Sequence, residues 1–196
     1  MKQSIYIVIV TLLVNLFYAI LRYNVFGNVP WEQLPLYVVN KAVSFSAIFC
    51  ISLSVVWSKL PSKKIQVRKF LGLYGFALAI FHVLLSVILL NPEYYSTFFD
   101  GQKINLRGNI IILCGALAFM SFLIAASCSI VNSPTSLLYI RPCVTIAIIF
   151  AATHIFFRGK NTWINPYNWY GYMPPISLLS FTVVIIAIAS KAYTKK

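Results

Sequence analysis

The chain has two histidines, His82 and His154, each deep inside a long apolar run. An ionisable side chain within a membrane-spanning stretch is costly, so by default it marks a functional position. Two imidazoles on separate helices can do one of three things. They can hold a haem iron between them as axial ligands, tie helices together by hydrogen bonds, or relay protons or ions. The first of these demands that both rings stand at one depth with room beside them.

The spacing meets the demand for depth. His82 follows Arg68 by 14 residues and His154 follows Arg141 by 13. If each arginine marks the same interface, a rise of 1.5 Å per residue puts both imidazoles about 20 Å from it. Residues three, four and seven positions earlier share a histidine's helix face. These are Ala79, Leu78 and Gly75 for His82, and Ala151, Phe150 and Ala147 for His154. Gly75, Ala147 and Ala151 would leave clearance for a flat macrocycle. Small residues are equally an ordinary means of packing helices. Arg158, one turn beyond His154, and Lys41 at comparable height are placed to neutralise haem propionates, although a lysine that snorkels to the interface is the plainer reading of Lys41.

The elements that must position these groups follow from composition. The chain is 60% hydrophobic and 10% charged, with mean hydropathy +0.84. A soluble domain of 196 residues could not hide that much apolar surface, so an all-α integral membrane protein is expected, with the lipid bilayer as its main partner. Six apolar runs predict one domain, 1–196, forming a six-helix transmembrane bundle with helices at about 4–21, 35–57, 70–90, 108–131, 137–157 and 174–190. The start of the fifth helix is ambiguous, because Arg141-Pro142 could be a late first turn.

Sixteen Lys+Arg against the three acids Glu32, Glu93 and Asp100 give a net charge of +13. In a soluble protein this would suggest nucleic acid, but here the bases sit mainly in short connections, where the positive-inside bias and anionic lipid explain them. With the amino terminus inside, ten basic residues fall on the cytoplasmic side against five outside, Lys41 being uncounted. Both termini are therefore predicted to be cytoplasmic. Trp31, Trp163 and Trp169 then lie at the outer interface and Trp57 at the inner. The four cysteines show neither a disulfide framework nor zinc-ligand spacing and read as small hydrophobes.

The segment RKFLGLYGFALAIFH, Arg68 to His82, resembles the R-x-x-LGL-x-A/G-F-x-x-x-x-x-H signature of the ferric-reductase-like transmembrane domain family. Within that family it is most similar to the branch of the haem-binding membrane subunit of the bacterial methionine sulfoxide reductase system. The similarity runs from about Pro35 through His154, and the 72-residue spacing of the two histidines fits it. The resemblance implies a haem b held by His82 and His154 in a multi-pass protein of a bacterial cytoplasmic membrane. It also implies electron transfer to a redox partner on the outer side.

The chain departs from the family at the inner level. Where relatives carry further histidines for a second haem, Arg141 stands on helix 5 and Arg68 on helix 3. A guanidinium stays protonated and is a poor iron ligand, so one haem is expected. One haem in the outer half leaves about 20 Å of protein to the inner surface, a long single hop, at 1.5 Å per helical residue. Entry from a membrane quinol or a partner subunit is the more economical route. No glycine-rich dinucleotide fingerprint follows a strand-like run, and six spans leave no soluble flavin domain, so the chain has no self-contained NAD(P)H or flavin site. Whether it is itself an enzyme or only the membrane haem subunit of an oxidoreductase stays open. The alternative is a non-redox six-helix protein, a small transporter or assembly factor, whose histidines bond between helices or relay protons. Against a transporter, no inverted repeat and no matching pair of broken helices is visible.

Overall fold

The computed structural model describes residues 2–57, 65–131 and 133–192. Six α-helices carry the chain: α1 (Lys2–Ile20), α2 (Val39–Val56), α3 (Ile65–Ile88), α4 (Leu106–Val131), α5 (Pro134–Gly159) and α6 (Ile176–Ala192). With their flanking turns, all six are long and apolar enough to cross a membrane. The all-α bundle predicted from hydropathy is therefore present. Part of the basic 58–69 connection and the last residues of the tail, both used in assigning sidedness, lie outside the described residues.

Element boundaries differ from expectation where local chemistry overrides hydropathy. The fifth helix was expected at 137 but starts at Pro134, so Arg141 and Pro142 lie well inside it. The cause is a reciprocal cap. Ser133 Oγ accepts from the Ser136 amide at 3.1 Å, Ser136 Oγ accepts from the Ser133 amide at 2.9 Å, and Pro134 occupies the first turn, where its missing N–H costs nothing. The third helix starts at Ile65 rather than 70, drawing Arg68 and Lys69 into its first turns. The segment expected as a polar loop after α1 is mostly wound up, with π-turns at Leu21–Val25 and Leu34–Val38 and a 3-10 turn at Trp31–Gln33. Between α3 and α4 a two-residue hairpin, β1 (Phe99–Asp100) with β2 (Lys103–Ile104), turns through Gly101 at φ +63°. That positive φ is cheap only for a residue without a Cβ.

Helix α2 is the centre. Of its membrane-length window 61% is buried, against 17% for α1, which decides which helix faces outward. It packs against α1, α3 and α6, while α4 and α5 form the other main pair. Its polar side chains serve that position. Asn15 Nδ2 donates to Ser46 Oγ at 2.9 Å, and Ser54 Oγ donates to the Arg68 carbonyl at 2.9 Å. The outward side of α1 exposes Tyr6, Leu13, Val14 and Phe17, and α3 exposes Leu84, Val87 and Ile88. Apolar surface on that scale calls for an apolar surrounding.

The connections α1–α2, α3–α4 and α5–α6 meet at one end of the bundle, here called the aromatic end. Tyr37 stacks on Tyr94, and Arg107 donates to the Phe157 carbonyl at 2.9 Å. A small second core of Leu89, Tyr95, Phe98 and Ile111 closes this end. All four cysteines are free thiols, with Cys50 and Cys114 buried.

Candidate functional site

His82 lies six residues before the end of α3, and His154 five before the end of α5. Both are thus within about 9 Å, along the helix, of the aromatic end. The depth match read from the arginine spacing is reproduced from the opposite ends of the helices. The rings are close enough for a charge on one to act on the other. Neither helix has the other as a main neighbour. The main neighbour of α3 is α2 and that of α5 is α4.

Each imidazole is held by one nitrogen. His82 Nδ1 lies 2.6 Å from Asn40 Oδ1 on α2. Asn40 is 1% exposed, and its Nδ2 donates to Ser86 Oγ at 3.0 Å and to Tyr95 Oη at 3.3 Å. With Oδ1 turned to the ring, Nδ1 is the nitrogen that donates to it, and the Ser86 hydroxyl lies 3.4 Å from the same Nδ1. His154 Nδ1 lies 2.8 Å from the Ile111 carbonyl on α4, an acceptor only, so Nδ1 donates there too. In both rings Nε2 then carries the lone pair and has no hydrogen-bond partner among the described residues, and both residues keep part of their surface accessible.

Gly115 makes the second of these contacts possible. A Cβ there would stand 2.9 Å from His154 Nδ1 and 3.2 Å from Cε1. Gly115 is one turn after Ile111, so its missing side chain uncovers the Ile111 carbonyl and lets the ring lie against the helix. Neither Gly115 nor Asn40 was singled out from the sequence. A lone glycine in an apolar helix resembles any packing glycine, and Asn40 stands next to Lys41, which drew the attention.

The two cations proposed for propionates converge. Lys41 Nζ is 4.8 Å from the Tyr37 ring centre and 5.6 Å from that of Tyr95, and Arg158 Cζ is 5.4 Å from Tyr95 and from Phe98. Lys41 acts electrostatically on both histidines, and Arg158 on His154 and Lys41. No carboxylate is among the groups acting on any of the three. Tyr95, on the connection beyond α3, has its phenol raised above the usual 10 by burial, with the Arg158 guanidinium pulling the other way. It therefore stays protonated and neutral at physiological pH.

The clearance expected from small residues needs correction. Gly75 faces α2: a Cβ there would stand 2.9 Å from Ile51 Cγ1, 3.1 Å from the Ala47 carbonyl and 3.1 Å from Cys50 Cβ. Its missing side chain is used for close approach of two helices, as is that of Gly72 against Ser54. Ala147 is fully buried and Ala151 nearly so, in the main core with Phe76, Phe122 and Ile148. The ring clearance actually present is at Gly115. Arg68 and Arg141 stay near the other ends of α3 and α5. The Arg141 carbonyl accepts from Thr145 Oγ1 at 2.8 Å, and neither arginine joins the histidines.

Among the described residues no group of three or more His, Cys, Asp or Glu side chains converges as a metal-ion site. Two histidines alone are too few for a bare ion but are the full protein share of a haem's ligands. The chain matches no family model and no curated protein.

Proposed function

We propose that the chain is a haem b-binding membrane electron-transfer protein of ferric-reductase-like type, with His82 and His154 as axial ligands from α3 and α5. One observation carries this reading. Both imidazoles are held through Nδ1 to a protein oxygen and make no hydrogen bond through Nε2 among the described residues, from two helices whose main neighbours are other helices. That is the arrangement by which a second layer of protein groups orients a metal-ligating histidine. Lys41 and Arg158, without carboxylates, are suited to the two propionates, and Gly115 gives the His154 ring its seat. A bound haem would supply one-electron chemistry, and six-coordination by two neutral imidazoles favours electron transfer over oxygen binding.

The remainder of the reading rests on the resemblance: a bacterial cytoplasmic membrane, both termini inside, a quinol or partner subunit as donor, and an outer-side redox protein as acceptor. One haem is proposed, because Arg68 and Arg141 stand at the inner level. A second reading, a non-redox small transporter or assembly factor, is favoured by the same two hydrogen bonds, since each ties a histidine to a neighbouring helix. It gives no account of two half-buried cations drawn together with no carboxylate beside them among the described residues.

The function is tested by adding a short-chain quinol to the haem-loaded protein in detergent. The proposal expects reduction of the bound haem by quinol and reoxidation by an added acceptor. A haem that only dithionite can reduce would contradict a quinol-fed relay.

Asn40 provides a further check. Asn40→Leu removes the short acceptor of the His82 N–H and leaves it only the Ser86 hydroxyl, 3.4 Å away. Haem retention should weaken about 10- to 100-fold, the range for groups that support a ligating histidine. Asn40→Asp keeps an acceptor and should retain haem. The readout is the rate of haem transfer to an excess of an apo-globin; equal rates for Asn40→Leu and wild type would show that His82 does not depend on this contact.

A further inference from the structure

The aromatic end also holds a buried cation that the haem reading does not use. Arg22, in the turn that follows α1, is 5% exposed. Its Nη1 donates to the Tyr170 carbonyl at 3.3 Å and to the Met173 carbonyl, and its Cζ lies 5.4 Å from the centres of both the Tyr23 and Tyr170 rings. Its Nε is buried with no hydrogen-bond partner. A guanidinium withdrawn from water is costly unless a counter-charge or a full set of acceptors meets it. Here two carbonyl oxygens and the Tyr23 hydroxyl serve a group with five donors, and Nε is left without a partner.

Arg22 also lines a pocket of about 180 Å³, whose remaining wall comes from the connection between α5 and α6. Asn161, Asn165 and Asn168 all face this pocket. Asn165 uses its carbonyl to accept from the Tyr167 amide at 3.2 Å, so its NH₂ is the end still able to donate. Trp169 braces the wall by donating Nε1 to the Thr162 carbonyl at 2.9 Å. A buried cation and several carboxamide donors thus converge on one small volume, with no acid among the lining residues.

We propose that this pocket binds a phosphate group. A tetrahedral oxyanion accepts from several directions, as the guanidinium and three carboxamides offer, and arginine is the side chain best suited to phosphate. The pocket lies at the end of six membrane-length helices and is lined by Trp169 and Tyr170, where interfacial aromatics and lipid headgroups belong. A lipid phosphodiester and free inorganic phosphate share the required chemistry.

The test is thermal unfolding of the detergent-purified protein against increasing inorganic phosphate, with chloride at matched ionic strength as control. A parallel titration uses dihexanoyl phosphatidylglycerol, with dihexanoylglycerol as its phosphate-free control. Asn168→Asp and Asn161→Asp each put a negative charge on an exposed wall position without touching the packing of Arg22. The proposal expects saturable stabilisation by a phosphate-bearing probe, at least about tenfold weaker in either variant because like charges would meet. Stabilisation by inorganic phosphate assigns the site to a soluble oxyanion, and stabilisation by the lipid alone assigns it to a headgroup. A wild-type response no larger than the matched controls, or one unchanged in both variants, overturns the proposal.

Discussion

Alanine at His82 or at His154 should each yield a protein that folds and enters the membrane but holds no low-spin haem. The two substitutions should act alike although they lie on different helices, because axial coordination needs both rings. Neither histidine is a keystone of the fold. Each makes one short hydrogen bond to a neighbouring helix, His82 to Asn40 and His154 to the Ile111 carbonyl. Losing such a bond costs about 1–3 kcal/mol where a buried partner is stranded, well below what six packed helices supply. Loss of colour without loss of the folded bundle therefore separates ligation from packing. Added imidazole should restore part of the spectrum in both variants by filling the space of the missing ring. If the histidines only tie helices together, both variants lose stability and imidazole changes nothing. The check is the visible spectrum with and without imidazole, beside the thermal unfolding of each variant.

The second large effect is expected at Gly115. Leucine there would place its Cβ 2.9 Å from His154 Nδ1 before the rest of the side chain is counted. The ring cannot retreat and keep its bond to Ile111, since the glycine is what exposes that carbonyl. His154 must swing away, and its Nε2 with it. Overpacking of this kind costs about 1–3 kcal/mol in stability, but the functional loss should be near that of removing His154 itself. Gly115→Ala, with the smallest added group, should fall between. Gly75→Ala makes a useful contrast. Its Cβ would meet Ile51 and Cys50 on α2 rather than either imidazole, so it should lower stability while the remaining folded protein keeps its haem spectrum. A Gly115→Leu protein with an undisturbed spectrum would show that the ring does not depend on this seat.

These contrasts show what the sequence made legible. The six runs could be read because a span needs some twenty apolar residues, a signal that survives without any knowledge of the partners. The histidines stood out because, of the basic and acidic residues, only they and Lys41 lie well inside the apolar runs, Arg141 standing near the start of its own. Packing was less visible. Helix α2 is central although its hydropathy, 1.7, is the lowest of the six, because Ser46, Ser54 and Asn40 are satisfied by neighbouring helices rather than by water. In a membrane the most polar span can be the most buried, whereas hydropathy alone suggests only that it is a weaker span. The small residues were read from one helix face at a time. Gly75 shares the face of His82 along α3, yet α2 fills the space beside it. Gly115 is on a different helix from either histidine, so no periodicity within α3 or α5 could find it.

The helix starts were missed for a local reason. Ser133, Pro134 and Ser136 form a recognisable capping signal, but the hydrophobic run after them begins late and is interrupted by Arg141 and Pro142. Placing Arg141 inside α5 leaves the single-haem argument in place. Its carbonyl bonds within the helix and its side chain is exposed, with no neighbouring histidine to complete a second pair. The convergence of Lys41 and Arg158 around Tyr95 was only partly foreseen, since their heights could be compared but the connection between α3 and α4 that gathers them could not.

The most direct test of the central claim is a dithionite-reduced minus oxidised absorbance spectrum of the detergent-purified protein, with a pyridine haemochrome count of haem per chain. Expression should be supplied with a haem precursor so that loading is not limiting. The account predicts a low-spin b-type spectrum and one haem per chain. Two haems per chain would contradict the role assigned to Arg68 and Arg141. A colourless protein would contradict the haem reading outright and leave His82 and His154 as groups that join helices or handle protons.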